Sequence, residues 1–110
     1  MGYKIEILPE AWEDLKQLQD YYCLRFGPAS AKKVRGHILE TVKRLELFPD
    51  SGSRPPDAWL AENGYKMVIC GRHIAIYKKF QEIKTVYIYH IADTRMEYSK
   101  LFHGEDGYRE

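Results

Sequence analysis

The sequence predicts an α+β domain: a small, mainly antiparallel sheet in the order β-α-α-β-β-β, with a helical hairpin packed on one face and a short helix at the C-terminal end. Three observations lead there. A short alternating segment opens the chain, two runs with helical spacing follow across a Gly-Pro break, and three runs rich in β-branched and aromatic residues close it. At 110 residues the chain is long enough for one domain with its own core.

The elements follow in order. In YKIEIL (residues 3–8), Tyr3, Ile5 and Ile7 alternate with Lys4 and Glu6, the pattern of a half-buried strand. Pro9 suits the first turn of a helix, whose stripe runs through Ala11, Leu15, Leu18 and Tyr22, widened by Trp12 and Phe26. Gly27-Pro28 stops that helix. A second is expected from Ser30 to Leu47, with Ala31, Val34, Ile38, Val42 and Leu45 at steps of three and four. The short link makes the pair an antiparallel hairpin.

Residues 49–64, PDSGSRPPDAWLAENG, form one long irregular segment with a turn of helix at Ala58-Trp59-Leu60; loops of this length often carry function. Strands are expected over 65–70, 73–80 and 84–92. Gly71-Arg72 reads as a two-residue turn of the Gly-X kind. The last strand, TVYIYHI, is nearly continuous in apolar and aromatic residues, which suits a central strand covered on both faces. Thr94-Arg95-Met96-Glu97 matches a capping box and opens a short helix with Tyr98, Leu101 and Phe102 on one face. Residues 103–110, HGEDGYRE, read as a flexible tail.

Composition narrows the function classes. A formal net charge of +1 gives no strong general attraction to nucleic acid or membrane, so any nucleic-acid role needs a local basic patch. No apolar run approaches the length of a membrane span, and the N-terminus resembles no signal peptide. Cys23 and Cys70 do not make a disulfide framework, and a reduced, cytoplasmic location is expected. His37, His73, His90 and His103 lack paired spacing, and C-x-x-C and H-E-x-x-H are absent, so neither metal nor cofactor is expected.

The remaining chemistry belongs to Arg, Lys, His and Tyr. From Gly64 to Arg95 the chain carries Lys66, Arg72, Lys78, Lys79, Lys84 and Arg95 against Glu82 and Asp93, with tyrosines and His90 among them. RNA can be cleaved without metal when its 2′-hydroxyl attacks the adjacent phosphate. The protein must then move two protons and stabilise the charge on phosphorus. Arg95 and Tyr98, three apart, share one side of a helix, and His90 precedes them. The same residues also read as a solvated first turn, a core tyrosine and an ordinary strand histidine.

Four stretches in this order, LPEAWEDLKQLQDYY, LELFPDSGSRPP, GYKMVICGRHIAIYKKF and VYIYHIADTRMEYSKLF, resemble the RelE/ParE superfamily of toxins from type II toxin–antitoxin modules. The resemblance spans residues 3–102 and implies a RelE/ParE-like fold, growth inhibition and a cognate antitoxin partner. RelE-like members cut mRNA on the ribosome; ParE-like members poison DNA gyrase; an inactive antitoxin-binding relative is the third possibility. Carried onto this chain, the RelE-type site implies Arg95, Tyr98, His90 and Lys66 as catalytic residues. Arg72, Arg54 and Lys78 are then candidate substrate contacts. Val68 and Ile74 stand where a second lysine and an arginine are expected in that site.

Overall fold

The computed structural model describes residues 2–94; the short helix expected after Thr94, with Arg95 and Tyr98, and the tail at 103–110 lie outside them. Strand β1 (Lys4–Ile7) leads into helix α1 (Pro9–Phe26), and α2 (Pro28–Lys43) returns antiparallel to it. Pro9 occupies the first turn of α1, where a missing N–H costs nothing. The link to α2 is Gly27 alone, at φ 97° and ψ 166°, a region essentially closed to residues with a Cβ. Pro28 also steers the preceding residue away from helical ψ, so glycine and proline together make the reversal.

Helix α2 begins earlier than the sequence predicts, because Pro28 serves as its first residue. It ends earlier too, tightening into a 3₁₀ turn at Arg44–Glu46. That turn still buries Leu45 completely, so the apolar stripe is maintained.

Helix α3 (Ala58–Glu62) interrupts the long loop, capped by Asp57 Oδ1, which accepts from Leu60 N at 3.0 Å. The remaining strands are β2 (Lys66–Cys70), β3 (His73–Phe80) and β4 (Thr85–Asp93). Gly71 has φ 64°, as the first position of the expected hairpin turn requires. The sheet order is β1-β4-β3-β2, antiparallel except for β1, which runs parallel to β4. This is the predicted α+β architecture, with an open sheet.

The hairpin side of the sheet holds the main core: Ala11, Leu15, Ile38, Val42 and Leu45 from the helical layer meet Ala75, Tyr77, Val86, Ile88 and Ile91. A second cluster, Met67, Ile74, Ile76 and Ala92 with Tyr65 against it, occupies the outer side. Both sides of β3 and β4 are therefore covered.

The long loop is anchored by Tyr77. Its buried hydroxyl donates to the Pro49 carbonyl at 2.8 Å and accepts from Gly52 N at 3.0 Å. A Cβ on Gly52 would lie 2.5 Å from that oxygen and 2.7 Å from Met67 O, so only glycine fits the approach. Ser53 then exchanges both backbone hydrogen bonds with Met67, at 2.8 and 3.0 Å.

One irregularity decides where the site lies. Tyr77 opposes Ile88, but Ile76 opposes His90, so β4 carries a bulge at Tyr89. One extra residue reverses the inside–outside alternation beyond it. Tyr89 packs edge-on to Tyr65 on the outer side, with ring centroids 5.1 Å apart, while Ile91 returns to the hairpin core.

Candidate functional site

Strand β1 stops at Ile7, and its last link to β4 is Leu8 N to Ile88 O at 3.1 Å. Beyond that point the edge of β4 needs other partners. Asp14, one turn into α1, supplies one: its Oδ2 accepts from Ile91 N at 3.0 Å and lies 2.8 Å from His90 Nδ1. Both side chains are largely buried, 15% exposed for His90 and 17% for Asp14, so the carboxylate joins helix to strand in a mostly dry setting. A second histidine lies nearby: His73, 6% exposed, has Nε2 3.4 Å from the Tyr22 hydroxyl.

Between the second half of α1 and the end of β4 opens a cleft of about 670 Å³, lined by Asp14, Gln17, Leu18, Tyr21, Tyr22, Phe26, Arg72, Ile91, Ala92 and Asp93. Its walls are more apolar than polar, and its charged groups are two carboxylates and one guanidinium. The rim leaves Tyr21 and Phe26 exposed, with Leu24 on the same helix almost wholly so. Such a patch suits a protein segment better than a polyanion.

Of the described residues singled out from sequence, His90 and Arg72 come to one cleft, and Lys66, Lys78 and Arg54 lie elsewhere. His90 reaches the cleft through Asp14, and Arg72 lines it from the β2–β3 turn, its carbonyl accepting from Thr94 N at 2.7 Å. Lys66 pairs with Tyr77 in the register and so belongs to the hairpin side of the sheet. Lys78 is on the outer side, its Nζ 4.6 Å from the Tyr65 ring centroid and 5.9 Å from that of Phe80. Arg54 is exposed in the loop after the Ser53 bridge. Arg95 and Tyr98 lie outside the described residues.

The outer side carries an aromatic row. Trp59 stacks on Tyr65 at 6.1 Å, Tyr65 meets Tyr89, and Phe80 meets Tyr87 at 5.4 Å. Burial raises the phenol pKa values of Tyr65, Tyr77 and Tyr89. Lys79 is also shifted upward, chiefly by its hydrogen bond to Asp50 at 3.0 Å. Among the described residues no three His, Cys, Asp or Glu side chains gather as a metal site, and no helix is long and apolar enough to cross a membrane.

Asp14, Tyr22 and His73 were not apparent as site residues from the sequence. For Asp14 a signal existed: it lies inside the stripe of Ala11, Leu15 and Leu18, where a carboxylate needs a partner.

The family model for the ParE toxin of the type II toxin–antitoxin system parDE matches residues 5–98, nearly the whole chain. The chain belongs to the ParE toxin family. No curated protein matches it. Among solved structures it is similar to the chromosomal ParDE toxin–antitoxin system of P. aeruginosa, at 22% identity over 84% of this chain and 96% of that one, with a TM-score of 0.70. It is also similar to the RelBE2 toxin–antitoxin complex of Mycobacterium tuberculosis: 19% identity, 84% and 99% coverage, TM-score 0.64. A mutant of the E. coli toxin RelE in the free state aligns over 93% and 92% of the two chains at 11% identity and TM-score 0.62. At these identities the likeness establishes the shared fold. Within that fold, this ParE-family chain places an apolar cluster, Met67, Ile74 and Ile76, at the centre of the outer side of its sheet.

Proposed function

We propose that this ParE-family toxin arrests growth by binding its target, DNA gyrase, rather than by cutting RNA, and that a cognate antitoxin restrains it by covering the α1–β4 cleft. One observation supports this most: of the five described candidates for phosphate chemistry, Lys66, Lys78 and Arg54 lie away from the cleft that Arg72 lines and His90 reaches through Asp14. Catalysis of phosphoryl transfer needs its proton carriers and cations convergent on one reacting group. A binding toxin needs instead an exposed surface with aromatic and arginine anchors, which Tyr21, Phe26 and Arg72 supply. The test is induction without antitoxin, followed by assays on purified gyrase and on a translating extract. Loss of supercoiling with translation intact supports the proposal; intact supercoiling with cleaved mRNA overturns it.

The second reading, ribosome-dependent mRNA cleavage, is favoured by the Asp14–His90 pair. A carboxylate on Nδ1 fixes an imidazole's orientation, a common arrangement for a proton-moving histidine. In that reading His90, Lys66, Arg95 and Tyr98 act on the phosphate while Arg72, Arg54 and Lys78 bind it. Primer extension on ribosome-bound mRNA separates the two: site-specific breaks that vanish in Arg95→Ala establish cleavage.

A further inference from the structure

Helix α2 turns Ala31, Ile38 and Val42 inward, and its opposite face presents Lys32, Lys33, Gly36, Glu40 and Lys43, with Arg44 one residue beyond its end; all six are exposed. At about 100° per residue, Lys32 and Lys43 are three turns apart on one line of the helix, and Lys33 and Arg44 on another. Two cationic rows, each about 16 Å long, therefore flank a strip containing Gly36 and Glu40. Ion pairs form elsewhere, at Lys4–Glu6, Lys16–Asp20 and Lys79–Asp50, and none of these four cations has one among the described residues. The charge is local, since the chain as a whole nets only +1.

Gly36 is the second, independent observation. It sits in mid-helix, exposed, and a Cβ there would meet nothing within 4 Å among the described residues. Glycine weakens a helix interior relative to alanine. Among the described residues no packing contact accounts for it, and the position leaves room for a close approach from outside.

We infer that the exposed face of α2 docks in the major groove of double-stranded DNA. The groove, about 12 Å wide, admits one α-helix. The two cationic rows then meet the phosphates of the two flanking strands, Gly36 brings the helix close to the groove floor, and the Glu40 carboxylate accepts from a cytosine amino group. The deep, narrow major groove of duplex RNA does not admit such a helix. This contact lies apart from the α1–β4 cleft and does not rest on the gyrase reading, which can fail without it.

The test is fluorescence anisotropy of the purified chain with a labelled random-sequence DNA duplex across a salt series. Four phosphate contacts give a log–log salt slope of roughly −3.6, or a roughly 150-fold loss of affinity from about 50 to about 200 mM salt. The combined Lys32→Gln, Lys33→Gln, Lys43→Gln and Arg44→Gln variant should lose that slope, while Lys16→Gln on α1 keeps it. Gly36→Leu should lose binding yet melt no lower than the parent, since leucine favours helix. The inference is overturned by any of four results: absent salt-dependent binding, a Gly36→Leu protein that binds normally, equal affinity for duplex RNA, or α2 variants that lose antitoxin while retaining DNA.

Discussion

Replacing Asp14 with alanine tests the link between α1 and the end of β4. The carboxylate is the acceptor for Ile91 N, and Ile91 is 3% exposed, so the vacated N–H has little access to water. Leaving such a donor unpaired costs about 1–3 kcal/mol. The contact with His90 adds about 1 kcal/mol, kept small because both side chains retain some solvent contact. The sum is about 3 kcal/mol, a fall in Tm on the order of 10–20 °C for a domain of this size. Urea unfolding followed by circular dichroism should show the midpoint falling with the slope unchanged. Asp14→Asn, whose carbonyl can still accept from Ile91, should recover roughly half. A loss below about 0.5 kcal/mol in Asp14→Ala, the size expected of an ordinary surface change, would refute the assigned role.

Tyr77→Phe leaves the Pro49 carbonyl and the Gly52 N–H without their shared partner, and should cost about 2 kcal/mol by urea unfolding. The buried tyrosines make the fold sensitive to alkali. Their folded pKa values lie above the ordinary 10.0, so the folded state holds those protons more tightly than the unfolded chain. Stability is thus fully present below pH 10 and is lost as pH rises through the folded values; tyrosinate absorbance should rise together with unfolding, and Tyr77→Phe should soften the loss. Phe26→Glu, at a residue 62% exposed, should leave Tm within a degree or two but weaken antitoxin binding by about tenfold or more in calorimetry. Unchanged affinity would move the antitoxin off the α1–β4 cleft.

The elements were legible because each leaves a local signature. The Gly27-Pro28 reversal, the Gly71 turn and the stripes of both helices all depend on residues close in sequence. The candidate site was less legible, for two physical reasons. Side-chain facing depends on alternation, and the bulge at Tyr89 changes its parity, so Val86, Ile88 and Ile91 share one core although the last step is odd. Asp14 and His90 are 76 positions apart, and only the termination of β1 at Ile7 gives the carboxylate a vacant strand edge to fill. Lys66 and Lys78 both belong to the basic stretch from Gly64 to Arg95, yet register puts them on opposite sides of the sheet.

By itself, the sequence determined the order of the strands and helices among the described residues, the α+β class and the resemblance to RelE/ParE toxins, since periodicity and turn chemistry act within a few residues. Tertiary structure alone decided that β1 joins β4 in parallel, that the bulge sends Tyr89 outward, and that Asp14 closes the edge beside the cleft. Those outcomes come from pairing between distant segments, where hydrogen-bond satisfaction and burial, rather than local propensity, select the arrangement.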